Sequence, residues 1–442
     1  MTLIFSAAMK HTSRLLAVVA AVGLVAAACS SSSKHSAGGG GSSGGGGSGG
    51  NTASAPGVTP TSVTVGMLTT LTGAGGSQDV NMPTGALARF ALQNAEGGVN
   101  GRKVTMVVKD DQTSPTQDMT AAQLLIQQPV FGVLGVSPLL FASARTFNRA
   151  GLPVVGGGFD GQEWGQYNNM FTWAGAGSTA AGTDPHAPQW TTEAQFIKDQ
   201  GGTNAAAFGY SISPSSSNAA KGLAKAAPVV GIKLGLLDTS IPFGTVNVAP
   251  LALQMKQKRV DAAELNMDAN TNFAIITAAR QAGVNLKVPL MATGYGQQLL
   301  NDPTTLAAAQ NSYFLTICQP VESHTAATQA MQSAMAKYEH FTGVPDFGWC
   351  YGYVSADLMI KGLEMAGKNP TRKSFIDGLR TVTNYTAGGL LPQPANFSLS
   401  QFGKSPNTAC SFFVKLEGKN FVPVPANGKP VCGTRIPNSN LS

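Results

Sequence analysis

The residues with the clearest chemical potential follow Leu152 to Val155, a short apolar stretch that predicts a buried strand. They are Gly156-Gly157-Gly158-Phe159-Asp160-Gly161, which match the G-x-G-x-x-G pattern of dinucleotide-binding turns. Such a site also needs a helix directly after the glycines, because the free N–H groups at the helix start hold the pyrophosphate. Residues 162–169 have no apolar helical period. The glycines therefore favour a backbone that approaches some other ligand closely.

Patterns typical of enzymes are sparse. The sequence has no H-E-x-x-H or P-loop pattern, and its five histidines are scattered. The neighbouring carboxylates Asp110 and Asp111 follow a predicted strand, where adjacent side chains point to opposite faces and more often hold a loop than form a catalytic pair. No CxxC or Cys/His spacing indicates zinc. We expect no catalysis, no cofactor and no metal.

The elements that position the glycines form one strand–helix–strand unit from Val130 to Gly161. The apolar run Val130 to Val136 predicts a parallel strand covered on both faces. Ser137-Pro138 predicts a helix start, with serine as N-cap and proline at the first position. Ligands lie beyond the carboxyl ends of strands in open α/β sheets, so Ser137 and the glycine turn are predicted to face one. The alternative is that the Ser137 hydroxyl only caps its own helix.

The first 28 residues have the layout of a secretory signal, with Met1 or Met9 as the start. Lys10 and Arg14 precede an apolar run that is too short for a comfortable membrane span. The run ends in Leu24-Val25-Ala26-Ala27-Ala28-Cys29, which resembles a bacterial lipobox, whose cysteine is lipidated and becomes the new N-terminus. We expect a lipid anchor at Cys29 on the outer face of the cytoplasmic membrane. The alternative is a plain secretory signal with an incidental cysteine.

Residues 29–57 are mostly glycine, serine and alanine, which predicts a flexible linker that spans about 30 Å on average. The net charge falls from +7 to +5 when Lys10 and Arg14 are removed with the signal. No cluster of basic residues follows, so nucleic-acid binding is not expected.

Four cysteines remain after Cys29, in a compartment that the signal predicts to be oxidising. Three connectivities are possible. We favour the pairs Cys318 with Cys350 and Cys410 with Cys432.

The stretch from Asn94 to Pro115, NAEGGVNGRKVTMVVKDDQTSP, resembles the matching segment of the periplasmic ligand-binding proteins of the leucine/isoleucine/valine-binding type. The order of elements around it is similar, and the resemblance extends from about Pro60 to the C-terminus. It implies an α/β fold of two lobes, each a parallel sheet with helices on both faces, joined by a three-crossing hinge. The lobes would comprise residues 58–185 plus 318–385, and 186–317 plus 386–442.

The resemblance also implies alternating helices and strands in the second lobe. The helices are 189–200, 217–227, 248–257 and 271–281, and the strands are 204–208, 232–238, 261–266 and 288–292. Two later helices, 325–341 and 351–366, would return to the first lobe, and strands 412–416 and 421–424 would close the second.

The resemblance also implies how a ligand is held. Family members bind an amino-acid carboxylate at turns that match Ser137 and Gly158 to Asp160, and bind its ammonium with an acid at the position of Gly294. Asp160 replaces a hydroxyl residue, so we expect a ligand with an ammonium or hydroxyl groups. The predicted ligand-binding residues are Thr70, Ser137, Gly158, Phe159, Asp160, Trp164, Tyr210 and Tyr295.

The predicted function is a monomeric, lipid-anchored substrate-binding protein. It would capture a small polar solute, amino-acid-like or related, by closure of two lobes, and present it to the permease subunits of an ABC importer. The alternatives are a sensor or interaction protein with the same fold and no transporter, and an extracellular enzyme. Genes for an importer beside this gene would favour the transport function over the sensor or interaction protein. A turnover assay would reveal an enzyme.

Overall fold

The computed structural model describes residues 50–158, 162–174, 189–244 and 247–437. The predicted signal, Cys29, most of the linker, Phe159, Asp160 and the 185/186 lobe boundary lie outside these residues. Within the described ranges, no helix combines the length and apolar character that a membrane span requires.

The chain first builds a five-stranded, parallel sheet with the strand order β2-β1-β3-β4-β5. The strands are β1 (Ser62–Thr69), β2 (Lys103–Asp110), β3 (Val133–Gly135), β4 (Val154–Gly156) and β5 (Met170–Thr172). The helices among them are α1 (Gly76–Asp79), α2 (Met82–Ala95), α3 (Pro115–Gln127), α4 (Ala144–Arg149) and α5 (Glu163–Gln166). This sheet is the centre of the first lobe.

The second lobe begins as five further parallel strands with helices between them. The strands are β6 (Asn204–Tyr210), β7 (Lys233–Ile241), β8 (Ala262–Asn266), β9 (Val288–Met291) and β10 (Tyr313–Thr316). The helices are α6 (Thr192–Asp199), α7 (Pro214–Val230), α8 (Ala249–Gln257), α9 (Ala269–Gln281), α10 (Gln297–Asn301) and α11 (Pro303–Ala308).

The chain then returns to the first lobe and finally to the second. The returning helices are α12 (Ala326–Glu339), α13 (Phe347–Ala366) and α14 (Arg372–Leu379), and the last strands are β11 (Thr408–Glu417), β12 (Asn420–Val424) and β13 (Val431–Thr434). The second sheet has the order β12-β11-β10-β9-β8-β6-β7, with β13 on β11. Its last three strands pair antiparallel, so the two-lobed α/β prediction is confirmed with a mixed second sheet.

Ser-Pro pairs begin two of the helices but not the predicted one. Ser114 caps α3 and Ser213 caps α7, each with proline at the first helical position. The prediction of a helix at Ser137-Pro138 is wrong, because α4 begins only at Ala144. The Ser137 hydroxyl accepts from the Leu139 amide at 2.9 Å and donates to Asp111, which holds this segment as a turn.

The first-lobe core is built around α13, which is buried along most of its 20 residues. It crosses α2 at very short range, and two glycines make this possible. A Cβ at Gly85 would collide with the Trp349 backbone, and one at Gly352 would collide with the Met82 backbone. The N-terminal turns of α13 reach the space between the lobes, as described below.

Two predicted boundaries need correction. Leu390, Ala395 and Phe397 pack in the first-lobe core, so this lobe extends beyond the predicted boundary at 385. The predicted linker also ends earlier than Gly57. Thr52 is bound to this lobe, because its amide donates to Asn369 at 3.0 Å and its carbonyl accepts from Arg102 at 2.9 Å.

Two disulfides join the pairs that the sequence analysis favoured. Cys318, in the segment that returns from β10 to the first lobe, is bonded to Cys350 in the first turn of α13. Cys410 is bonded to Cys432, its direct partner across β11 and β13. The first bond ties a crossing between the lobes to the first-lobe core.

Candidate functional site

A cavity of about 390 Å³ lies between the two lobes. Strand ends contribute much of its wall. Gly157 and Gly158 follow β4, Trp173 follows β5, and Asn266 is the last residue of β8. Carboxyl ends of parallel strands are where α/β proteins bind ligands, and this volume is typical of small-molecule pockets.

The first-lobe wall is aromatic and closely packed. The rings of Trp173 and Tyr351 meet edge to face at 4.8 Å, and the Trp173 indole N–H donates to Ser355 at 3.0 Å. Gly157 passes directly over this pair, since a Cβ there would lie 2.5 Å from the Trp173 ring. The first glycines of the sequence pattern therefore let the backbone approach two aromatic rings that line the cavity, which Phe347 extends.

On the second-lobe side, small residues on α7 leave room for the cavity. Ser215, Ala219, Gly222 and Ala226 line the cavity together with Leu223. Their spacing of three and four residues places them on one face of the helix. Leu315 and Ile317 from the end of β10 add further apolar surface, and Trp190 covers the start of the lobe.

Several polar side chains interrupt this apolar lining, and two of them are acids. Glu264 and Asn266 alternate with Leu265 on β8 and so share the face toward α6 and α7. Glu193, in the first turn of α6, accepts a hydrogen bond from the Ser411 hydroxyl at 3.1 Å. Burial raises the pKa of Glu193, and burial together with the charge of Glu193 raises the pKa of Glu264 well above its usual range.

Of the predicted ligand-binding residues, Gly158 lines this cavity. Phe159 and Asp160 lie outside the described residues. The others are placed elsewhere by the fold.

Thr70 and Ser137 are fully buried and hold the protein's own Asp111. Thr70 donates to that carboxylate at 2.8 Å, and Ser137 donates to it as well. Burial raises the pKa of Asp111, although these two hydrogen bonds oppose the shift. Asp110 accepts from Leu71 at 2.8 Å, so both acids hold loops, as the sequence analysis favoured. A ligand role for Thr70 and Ser137 stays a prediction that their burial disfavours.

Tyr210 and Trp164 point away from the cavity because of strand and layer geometry. Tyr210 shares the β6 face of Phe208, opposite to the α6 and α7 side, and its hydroxyl contacts Asp268 and Thr271. Trp164 packs in the core on the outer face of the first sheet. Both aromatics are therefore core residues, which was the alternative to their lining a ligand pocket.

Tyr295 and Gly294 line a neighbouring pocket of about 180 Å³, which shares Phe347 with the cavity. The Tyr295 hydroxyl donates to Glu322 at 2.8 Å. Gly294 has a φ of +111°, and a Cβ there would lie 2.7 Å from the Phe273 ring. The position that resembles the ammonium-binding acid of the leucine/isoleucine/valine-binding type therefore has no room for an acidic side chain.

Sequence reasoning missed Trp173, Tyr351, Glu193 and Glu264. A signal existed for Glu264, because it is the only charged residue of the mostly apolar strand β8, and a charged residue is rarely buried. No comparable signal marked Tyr351, whose position depends on the returning helix α13.

Comparison with solved structures shows the same fold at low sequence identity. A fatty acid ABC transporter substrate-binding protein from Thermomonospora curvata aligns with a TM-score of 0.67 at 20% identity, covering 88% of this chain and 95% of that one. An ABC transporter solute-binding protein from R. palustris, in complex with benzoate, aligns with a TM-score of 0.64 at 15% identity, covering 84% and 97%.

A branched-chain amino acid transporter substrate-binding protein from Streptococcus pneumoniae, in complex with isoleucine, aligns with a TM-score of 0.65 at 15% identity, covering 84% of this chain and 99% of that one. No curated protein sequence matches this chain. A family model described as a periplasmic binding protein matches residues 62–420. Because that match covers most of the chain and the fold agrees, the chain belongs to the periplasmic binding protein family, type I.

Proposed function

We propose that this protein is an extracytoplasmic substrate-binding protein that captures a small molecule with a largely apolar body and delivers it to an ABC importer. The observation that carries the proposal is the cavity of about 390 Å³ between the lobes, with its aromatic first-lobe wall and its aliphatic α7 wall. Binding there needs no chemistry, and closure of the two lobes around the molecule suffices.

The lining decides the class of ligand. An apolar group gains about 0.8 kcal/mol per methylene when it leaves water for such a wall, whereas a polar group loses its hydration unless it is hydrogen-bonded. The sequence predicted a small polar solute. The cavity instead favours a ligand whose apolar body is the main source of affinity. One polar head of that ligand would be held by the polar side chains of the lining.

The solved structures support this range without fixing it. One neighbour is named for fatty acids, one contains benzoate and one contains isoleucine. Each of these ligands combines an apolar body with a polar head. The fold is therefore compatible with the ligand class that the cavity favours.

The remaining parts of the proposal concern the envelope. A lipid at Cys29 would anchor the protein, and the Gly/Ser-rich stretch after it would hold the lobes away from the membrane. An anchored binding protein stays near the permease that accepts its ligand. These parts rest on the sequence alone.

The proposal can be tested with simple probes and the protein's own fluorescence. Two of the four tryptophans, Trp173 and Trp190, line the cavity. Titration with octan-1-ol should change their emission and raise the melting temperature, while glycine and glucose should do neither. Binding of the polar solutes without any response to octan-1-ol would contradict the proposal.

A further inference from the structure

The cavity contains two glutamates, and no lysine, arginine or histidine lines it among the described residues. Glu193 and Glu264 come from different elements, yet they are near enough that the charge of one raises the pKa of the other. The acid pair therefore lacks a cationic side chain to neutralise it in the described wall.

One carboxylate oxygen of Glu264 lacks a hydrogen bond. Only 5% of this residue is exposed, and its Oε2 has no partner among the described residues. The Asn266 side chain, on the same face of β8, lies close enough to oppose the rise in the pKa of Glu264, although its Nδ2 also has no hydrogen bond at the usual distance among the described residues. Buried polar groups are nearly always hydrogen-bonded, because an unmade bond costs the full desolvation of the group. Because the Glu264 residue lines the cavity, a ligand there can supply the missing donor once the carboxylate turns toward it.

We propose that Glu193 and Glu264 form a subsite for a protonated amine, so that the ligand is an ammonium-bearing molecule with an apolar body. This inference rests on the proposed function, because it uses the same cavity. An ammonium group carries three donors and no acceptor, which suits two carboxylates and an unpaired Oε2. Its positive charge offsets the acid pair, while the apolar body contacts the α7 wall.

Other heads fit these groups less well. A carboxylate would bring a further negative charge beside two acids with no cation in the described wall. A hydroxyl can donate one hydrogen bond but leaves the charge of the pair unbalanced.

Three probes with the same eight-carbon chain separate these possibilities. Octylamine, octan-1-ol and nonanoate each carry an eight-carbon alkyl chain and differ only in the head, so the chain contributes equally to each. At neutral pH we expect octylamine to bind about 10- to 100-fold more tightly than octan-1-ol, as a charge-assisted hydrogen bond in a buried site requires. Nonanoate should bind most weakly.

The variant Glu264→Gln keeps the shape of the side chain and removes its charge. In this variant octylamine should fall to the affinity of octan-1-ol, while octan-1-ol itself should bind as before. Glu163→Gln is the matched control, because Glu163 is a buried glutamate with a raised pKa that does not line the cavity. It should keep the preference for the amine. If Glu264→Gln does not fold, Glu193→Gln provides the same comparison.

The outcomes distinguish this inference from the function on which it rests. Binding of octan-1-ol without a preference for octylamine, or a preference that survives Glu264→Gln and Glu193→Gln, would overturn the amine subsite alone. Failure of all three probes to bind the wild-type protein would overturn the proposed function and the subsite with it.

Discussion

Substitution of Ala219 by leucine should block part of the cavity. Ala219 lies on α7, is only partly buried, and faces the space between the lobes. Leucine adds three carbon atoms to the wall and should exclude about three methylene groups of a bound alkyl chain. At about 0.8 kcal/mol per methylene this is about 2.4 kcal/mol, or roughly a 60-fold loss of affinity.

The assay is a calorimetric or fluorescence titration with octan-1-ol on matched variants. Ala224→Leu is the control, because Ala224 lies on the same helix and does not line the cavity. It introduces the same side chain with the same helix propensity. We expect Ala219→Leu to lose affinity without losing thermal stability, since its new side chain enters open space. Equal losses in both variants, or no loss in Ala219→Leu, would refute the assignment of this cavity as the binding site.

Four further predictions concern stability, packing and the anchor. Burial raises the pKa of Asp118 to about 8. Between pH 4 and 8 this carboxyl therefore stays protonated in the folded protein and ionises in the unfolded chain. Its contribution to the free energy of unfolding is most favourable below pH 4 and falls by about 1.4 kcal/mol for each pH unit up to pH 8. Asp118→Asn should therefore stabilise the protein more at pH 7.5 than at pH 5 in urea unfolding, and an equal gain at both would contradict the shift. Paired Cys→Ser changes at Cys318 and Cys350, whose sequence separation is 32, should cost about 3 to 4 kcal/mol, and non-reducing peptide mapping should recover both disulfides. Gly157→Ala should lower the melting temperature and ligand affinity together, because its Cβ would collide with Tyr351 and Trp173; an unchanged melting temperature would disprove the close approach. Cys29→Ala should release the protein from membranes, and a wild-type protein without a lipid mass would exclude the anchor.

Much of the fold could be predicted because apolar periodicity is a local property. The second-lobe helices and strands lie within a few residues of the ranges that the family resemblance implied, and their buried residues follow the periods of helix and strand. The helix at Ser137 could not be excluded in this way. The Ser137 hydroxyl donates to Asp111, which is 26 positions away along the chain, and only the folded sheet brings these two residues together.

The candidate site was harder to predict for the same reason. Which strand ends meet could be inferred, and Gly158 lines the cavity accordingly. Which face each side chain takes could not, because a single position of strand register moves a residue such as Tyr210 from the cavity side to the core. Tyr351 comes from a helix that returns from the second lobe, so nothing near it in sequence marked it as part of this wall.

The central claim, that the ligand occupies the cavity beside α7, can be tested directly by photolabelling. An octylamine analogue with a diazirine on its chain would be activated on the wild-type protein, and the labelled peptides would be mapped by mass spectrometry. We predict labels on residues 214–230 and 347–366, competed by free octylamine and reduced in Ala219→Leu. Labels concentrated instead around Thr293 to Gly296, in the smaller pocket, would contradict the account.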